Sequence, residues 1–543
     1  MAIPRPIFQT FRRNLSLEHC LYALVLGVFF LLITCPLIGL GVDLLYAALR
    51  GSLDLSTPLL LSSRRLGLLA ASIGLATAVA LAGIVTGVLL VSLLWRVSRE
   101  ILVFLLLALL ALAAIPPYIH ALTWSSLSGY LTNFLPGLPT TGWGISFWVE
   151  YMALLPLATL LTWIAFASID RHLVEAGRVF RSDMNAFLHI LLPLSVPALG
   201  AAFGLLFLIC CSDYSIPSLF GADVYALDIF AQFSASGSSA VASLYALPLV
   251  LVTVVVVIAS RSGIRTLAQT PDWLSARFGT APRFPRFFVG LQVIACTLIL
   301  VQILVLFSGL VITTGNLTTF IHSVSVAQGE LTYSVLIAVG VILISLPLAL
   351  AAAYELRQPG LRGAAAWTLV LLPLAMPASL TGIGMILFWN APGPSMIYPG
   401  VLMPVLVSVA RFAPIAAILL FVQLRFIEPL LFDAAAVFSP GLFDTWVQIR
   451  LPLYAPGLFV AAGILAVLTL GELGATLVVA PPGHGTLTMR IYNYLHYGAA
   501  GEVAGLCLMI TILTLIAGAC TIAVLYWLYR GPGRTVETGG KPE

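Results

Sequence analysis

The stretch DAAAVFSPGLFDTWVQIRLPL occupies Asp433–Leu453 and interrupts a chain that is otherwise strongly apolar. The three alanines that follow Asp433 favour a helix. Ser439 followed by proline is typical of a helix N-cap and first turn, so we expect a second short helix to begin there. Leu451-Pro452 predicts its end, because a residue before proline disfavours the α conformation. We therefore predict two short amphipathic helices joined at an angle.

The composition around this stretch excludes an ordinary soluble domain. Hydrophobic residues make up 61% of the 543 residues, charged residues only 8%, and the mean hydropathy is +1.09. A soluble protein carries about 25% charged residues, so most of this surface is expected to face lipid. The net charge of +4 reflects arginines near the membrane, and no nucleic-acid partner is predicted. The seven cysteines lie in or beside apolar segments and have no CxxC spacing, which favours a packing role.

Twelve apolar runs are long enough to cross about 30 Å of hydrocarbon as helices. They lie near residues 21–41, 66–94, 101–124, 145–168, 196–212, 239–260, 288–313, 331–354, 363–389, 398–424, 455–471 and 505–529. The runs lack the alternation typical of lipid-facing strands. The sequence therefore predicts an all-α polytopic membrane protein with about twelve transmembrane helices.

The arginines predict how these helices are oriented. The chain has one lysine, Lys541, and 24 arginines, of which 19 fall in segments on the same side as the N-terminus. Positively charged loops remain cytoplasmic, so both termini and the joint at 260–286 are predicted to be cytoplasmic. The first apolar run is too long for a typical signal peptide and lacks a cleavage site, which predicts a retained anchor.

A looser copy of the opening stretch, EAGRVFRSDMNAFLHILLPL, occupies Glu175–Leu194. Glu175 and Asp433 are 258 residues apart, and Asp213 and Glu472 are 259 residues apart. We therefore predict two tandem six-helix repeats, which are parallel because each crosses the membrane an even number of times. An isolated amphipathic helix would rest on the bilayer surface. Two copies at matching places favour a partner with two matching grooves.

Both copies resemble the EAA loop of ABC transporter permeases, whose pattern is E-A-A, three residues, G, nine residues and I-x-L-P. The first copy has Gly177 for the second alanine, Arg181 at the glycine position and one residue fewer before its Leu-Pro; the second has Ser439 at the glycine position. The residues assigned to ATPase coupling by this resemblance are Glu175, Ala176, Gly177, Phe180 and Pro193 in the first copy, and Asp433, Ala434, Ala435, Phe438, Ser439, Trp446, Leu451 and Pro452 in the second.

Three further segments narrow the resemblance to fused, twelve-helix permeases of the ferric-iron type, which share the type I ABC importer fold. They are IPPYIHALTW at 115–124, DYSIPSLFG at 213–221 and the segment 471–498. The resemblance implies an importer of the bacterial inner membrane. A periplasmic or extracellular binding protein delivers the solute, this chain forms the pathway, and two ABC ATPase subunits dock on the loops. It implies no cofactor. Ferric iron or a similar small solute is expected, with thiamine and phosphonates left open.

The spans and the resemblance together predict the division of the chain. We expect an N-terminal anchor helix and external loop at 1–60, a first permease domain at 61–261 and a cytoplasmic linker at 262–287. A seventh helix and external loop at 288–330, a second permease domain at 331–530 and a cytoplasmic tail at 531–543 follow. The sole lysine, Lys541, lies in GGKPE, so the chain lacks a Walker A motif and is not itself expected to be an enzyme.

Three ionisable residues at membrane depth are candidates for the pathway: Asp213, Arg411 and Glu472. Interfacial solvation or backbone capping is the alternative role for the two carboxylates, and a structural clamp is the alternative for an Arg411–Glu472 pair. No two histidines have the i, i+4 spacing of a metal site, so none is predicted.

Two other classes of protein compete with an importer permease. An ion- or proton-coupled secondary transporter would also have twelve helices and membrane-embedded charges, but it would not explain two matched amphipathic loops. A membrane-embedded enzyme would require a nucleophile, base or metal constellation, and no catalytic residues are predicted.

Overall fold

The computed structural model describes residues 5–51, 62–137, 139–236, 238–268, 282–390, 400–428, 430–431, 444–497 and 500–530. Within these ranges all regular structure is helical. The α-helices in chain order are α1 Arg5–Leu49, α2 Ser63–Leu94, α3 Arg99–Ala113, α4 Pro117–Leu131, α5 Trp143–Ala167, α6 Arg171–Phe180, α7 Asp183–Ala186, α8 Leu192–Ser212, α9 Ser215–Leu219, α10 Tyr225–Ser236, α11 Ser239–Ala268, α12 Arg286–Thr314, α13 Leu317–Val326, α14 Gln328–Leu356, α15 Gly360–Leu371, α16 Ala378–Trp389, α17 Leu402–Arg425, α18 Leu451–Leu470, α19 Thr476–Val479, α20 Leu487–Tyr497 and α21 Ala500–Arg530.

The described residues contain ten helices long and apolar enough to cross a membrane, or twelve if two bent helix pairs are counted as spans. This confirms the predicted all-α polytopic membrane fold. The predicted spans 101–124 and 363–389 correspond to these two bent pairs. α3 and α4 meet at 86°, and the helical segments 360–375 and 378–389 meet at 107°. Pro116 and Pro377 lie at these breaks and lack the N–H that a continuing helix requires.

The predicted helix stop at Leu451-Pro452 is wrong. A π-helical segment, Thr445–Arg450, leads directly into α18, so residues 445–470 form one helical span. Leu451 donates its N–H to the carbonyl of Trp446, five residues earlier. Pro452 then occupies the first turn of α18, and the wider π-helical turn before it accommodates the proline. The first copy is built in the same way, with a π-helical segment at Phe187–Leu191 before Pro193.

Two long helices pack against partners that are distant in sequence. α1 lies against α14, α16 and α17, where the Tyr22 hydroxyl donates to the carbonyl of Ala351 at 3.3 Å. α12 lies against α2 and α4, and its Gln302 accepts a hydrogen bond from the Trp124 indole at 2.9 Å. The helices of the two predicted halves are therefore interlocked.

The crossing of α1 and α16 depends on two glycines. A side-chain carbon at Gly39 would overlap the backbone carbonyl of Gly384, and one at Gly384 would overlap the carbonyl of Pro36. In contrast, a side-chain carbon at Gly41 would meet nothing within 4 Å. Small residues allow helices in a membrane to approach this closely.

We predict that Gly39→Val destabilises the protein, because the valine must push the two backbones apart. Overpacking of this kind costs about 1–3 kcal/mol. Thermal unfolding of the detergent-solubilised chain measures the change, with Gly41→Val as the matched control on the same helix. Equal melting temperatures for the two variants would contradict the close crossing.

Candidate translocation centre and coupling loops

Four breaks between helices converge at one place in the molecule. A side-chain carbon at Gly471, where α18 ends, would lie 3.0 Å from the ring of Pro116 at the α3–α4 break. A side-chain carbon at Gly474 would lie 2.6 Å from Ala378 at the start of α16 and 3.6 Å from the Tyr214 ring, just after α8. A side chain at Gly474 would overlap Ala378, and one at Gly471 would press tightly on Pro116. We call this place the translocation centre, as a candidate.

Arg411 and Glu472 form an ion pair beside the translocation centre, as predicted. Glu472 also accepts the N–H of Ala475 at 2.7 Å, so both of its carboxylate oxygens have partners. The Glu472 side chain is 6% exposed, whereas the Arg411 side chain is 21% exposed. The Arg411 side chain is therefore the more exposed partner, while the Glu472 carboxylate holds the loop after α18.

Asp213 performs the backbone capping that was predicted as its alternative role. Its carboxylate accepts the N–H and the hydroxyl of Ser215 at 3.0 and 2.7 Å, at the start of the short helix α9. Side-chain oxygens stabilise helix starts by accepting such otherwise free N–H groups. Asp213 and Glu472 thus each shape the turn that follows a long helix.

Glu150 is a buried acid that the sequence analysis missed. It lies within α5, is 1% exposed, and has Asp213 as a neighbour. Its Oε1 atom has no hydrogen-bond partner in the described part of the chain. Burial of a carboxyl group without a hydrogen-bond partner is unfavourable. The signal was present in the sequence, since an acid within an apolar span is a functional candidate.

Several buried hydroxyl groups around these residues have no hydrogen-bond partner among the described residues. They belong to Tyr118, Tyr214, Ser379 and Thr469. Burial, together with nearby Tyr492 and Glu472, raises the pKa of the Tyr214 phenol, which therefore remains a neutral donor. Buried hydroxyls without partners are rare and unfavourable. The candidate translocation centre therefore contains buried polar groups that have no hydrogen-bond partner within the described residues. No three His, Cys, Asp or Glu residues within the described ranges are arranged to hold a metal ion.

The segment predicted to couple to an ATPase in the first copy, here called the first coupling loop as a candidate, comprises α6, α7 and the turn between them. Asp170 caps α6 by accepting the N–H of His172 at 2.9 Å, and Val174 is buried beneath the helix. A side-chain carbon at Gly177 would overlap the side chain of Ile190. This contact favours glycine at the position where the EAA motif has its second alanine. Phe180, at the end of α6, is 88% exposed. Glu175 is half-buried, whereas Ala176 and Pro193 are exposed.

The glycine that the EAA motif usually contains is not required in this first loop. Arg181 occupies its position with φ −137° and ψ 158°, an extended conformation open to any residue. The loop is held instead by Asp183, which accepts from Arg178 Nε at 2.8 Å and from the backbone N–H of Arg283 at 2.5 Å. The ring of Phe284 packs 5.6 Å from that of Phe187. Residues at the end of the predicted linker therefore hold the first coupling loop in place.

The second coupling loop lies only partly within the described residues. Asp433, Ala434, Ala435, Phe438 and Ser439 fall outside them.

In the described part of this loop, Trp446 is 39% exposed, and its ring packs 6.2 Å from that of Tyr454. The Arg450 guanidinium lies 5.1 Å from the Trp446 ring. Leu451 and Pro452 are exposed. The partly exposed ring of Trp446 thus forms an aromatic surface where the loop enters α18.

No family model matches this chain. Part of it is similar to proteins named as the permease protein PhnV of a 2-aminoethylphosphonate transport system. The protein from Salmonella choleraesuis strain SC-B67 is 29% identical over 181 residues, which are 33% of this chain and 67% of the relative. The proteins from Salmonella typhimurium strain LT2 and Salmonella paratyphi A strain ATCC 9150 are each 30% identical over 169 residues, 30% of this chain and 62% of each relative. The similarity supports an ABC permease family. The matched permeases are transport subunits, and their name specifies a phosphonate rather than iron.

Proposed function

We propose that this chain is the membrane-spanning permease subunit of an ATP-driven importer that receives its solute from a separate binding protein. The observation that carries this proposal is the first coupling loop, a fixed helix–turn–helix that presents the exposed ring of Phe180 between two spans. An exposed aromatic group on a fixed support is the kind of group that dominates protein–protein interfaces. ATP hydrolysis is assigned to the partner subunits.

In this proposal the chain contains two permease units that together form one pathway. The matched 181 residues are 67% of the Salmonella choleraesuis relative and 33% of this chain, so that relative is about half as long. This length ratio supports the tandem arrangement and two docked ATPase subunits, one at each coupling loop. With both termini cytoplasmic, as the arginines predict, the two loops face those subunits in the bacterial inner membrane.

The proposed solute is a small organophosphonate in preference to ferric iron. The relatives carry a phosphonate in their name. A guanidinium such as Arg411 and neutral hydroxyls such as those of Tyr214 and Ser379 are suited to bind phosphonate oxygens. The Glu150–Asp213 pair offers acceptors for an ammonium group. Ferric iron was expected from the motif resemblance alone.

A proton-coupled carrier is the second candidate function, because the carboxyl group of Glu150 is buried within a membrane span next to Asp213. The test uses proteoliposomes that contain the chain and its co-encoded ATPase, with the binding protein loaded with radiolabelled 2-aminoethylphosphonate. Uptake is expected to require ATP and to survive a protonophore. Uptake that continues without ATP and collapses with the protonophore would identify a carrier instead.

We predict that Phe180→Ala lowers the amount of ATPase that co-purifies with the chain about threefold, because one exposed aromatic contact is lost. Phe134→Ala is the control, since Phe134 is 67% exposed beyond the end of α4 and lies outside both coupling loops. Equal retention of the ATPase by both variants would argue against docking at the first loop. The effect is expected to be smaller than that of changes in the second loop, because the sequence of the second loop matches the EAA motif more closely.

A further inference from the structure

A cavity of about 410 Å³ lies where α11, α14 and α17 end and α15 begins. Three arginines line it: Arg265, Arg357 and Arg425. The rest of the lining is formed by Leu356, Gln358, Pro359, Gly360, Trp367, Phe421 and Ile427. The cavity therefore combines three positive charges with the apolar side chains of Trp367 and Phe421, and the transport proposal assigns it no role.

No carboxylate of the described residues lies within 4 Å of a guanidinium nitrogen of these three arginines. The nearby Glu355 is already bound by Arg362 through two hydrogen bonds of 2.6 and 2.7 Å. The Nε atom of Arg265 is buried and has no hydrogen-bond partner within the described ranges. Three like charges around one space repel each other, so an anion in the cavity would be strongly stabilised.

The walls of the cavity are held in place before any ligand binds. The Trp367 indole donates to the carbonyl of Leu356 at 3.1 Å, and the Arg265 guanidinium lies 5.5 Å from the Trp367 ring. A side-chain carbon at Gly363 would overlap the carbonyl of Gln358, so α15 folds tightly back on the end of α14. The first turn of α15 begins at the cavity without a side-chain cap, which leaves backbone N–H groups available to an anion.

We propose that this cavity binds the phosphate group of an anionic phospholipid. Three membrane-spanning helices reach the cavity within one turn of their ends, through Arg265, Leu356 and Arg425, which places it at the edge of the hydrocarbon region. Basic pockets between helices at this level are suited to phospholipid headgroups. The apolar wall of Trp367 and Phe421 accommodates the glycerol and the first methylenes, which a free phosphate ion lacks.

The test measures the thermal stability of the purified chain in detergent with added phosphatidylglycerol, phosphatidylcholine or inorganic phosphate. Phosphatidylglycerol is expected to raise the melting temperature, and phosphatidylcholine is not. Arg357→Gln is expected to weaken phosphatidylglycerol binding about fivefold, since each arginine near a lipid surface contributes on the order of 1 kcal/mol. Arg357→Lys is expected to retain most of the affinity, because it keeps the charge.

The control variant is Arg286→Gln, which removes one exposed arginine outside the cavity. An equal loss of affinity in Arg286→Gln would overturn the proposal, because it would show diffuse attraction to the whole basic surface. Inorganic phosphate that displaces phosphatidylglycerol and stabilises the chain equally would also overturn it in favour of a soluble phosphate compound. Stabilisation by phosphatidylglycerol that depends on Arg357 and not on Arg286 supports it.

Discussion

Arg411→Ala is expected to remove most of the folded protein from the membrane and to abolish solute uptake. The substitution leaves the Glu472 carboxylate buried without its counter-charge, and a buried charge without its partner costs roughly 3–5 kcal/mol. The amount of folded chain follows from fluorescence-detected size-exclusion chromatography, and uptake is measured per folded molecule.

The double variant Arg411→Ala/Glu472→Gln tests the pair itself. Glutamine removes the charge but keeps a carbonyl oxygen for the N–H of Ala475, so folded protein is expected to recover. If the double variant is as defective as the two single variants combined, the residues are not partners. Recovered folding without recovered uptake would identify Arg411 as a group that acts on the solute, whereas recovery of both would leave it a structural clamp.

Trp446→Ala is expected to reduce co-purification of the ATPase at least tenfold and to abolish ATP-driven uptake, with normal amounts of protein in the membrane. The indole is 39% exposed, so the fold loses its contacts with Tyr454 and Arg450, whereas the proposed interface loses a central aromatic group. Removal of such a group commonly costs about 2 kcal/mol or more of binding free energy. Asp433→Lys is expected to act in the same direction through the start of the loop.

Trp143→Ala is the matched control for the second coupling loop. Trp143 is 40% exposed at the start of α5 and lies outside both loops. Full retention of the ATPase by Trp446→Ala, or equal loss in both tryptophan variants, would remove the basis for coupling at this loop. Equal damage from Trp446→Ala and Phe180→Ala would keep coupling but contradict the predicted asymmetry.

The spans were predictable because hydropathy and length are local properties of the chain. The Arg411–Glu472 pair was predictable for a similar reason, since a buried charge needs an opposite charge nearby. The breaks near Pro116 and Pro377 were hidden inside apolar runs, because hydropathy does not record the direction of the backbone. The prolines themselves were the available signal.

Other features depended on contacts that sequence patterns do not encode. One acid hardly alters the hydropathy of the 25-residue helix α5, so Glu150 was overlooked although its type alone marked it. Asp183 accepts a hydrogen bond from the backbone N–H of Arg283, which lies 100 positions later in the chain. Only tertiary packing brings these two residues together. The π-helical entry to α18 likewise reversed the expected effect of Leu451-Pro452, because the wider turn accommodates the proline.

The packing of α1 has a consequence for how the protein is made. Its hydrogen bond from Tyr22 reaches a residue 329 positions later, and its Cys35–Met385 contact spans 350 positions. α1 therefore enters the membrane long before the ribosome has produced the helices that cover it. Chains are synthesised at about 5–20 residues per second, so α1 waits tens of seconds with its packing face open to lipid. During synthesis, insertion of the first helix and completion of its packing are thus separate events.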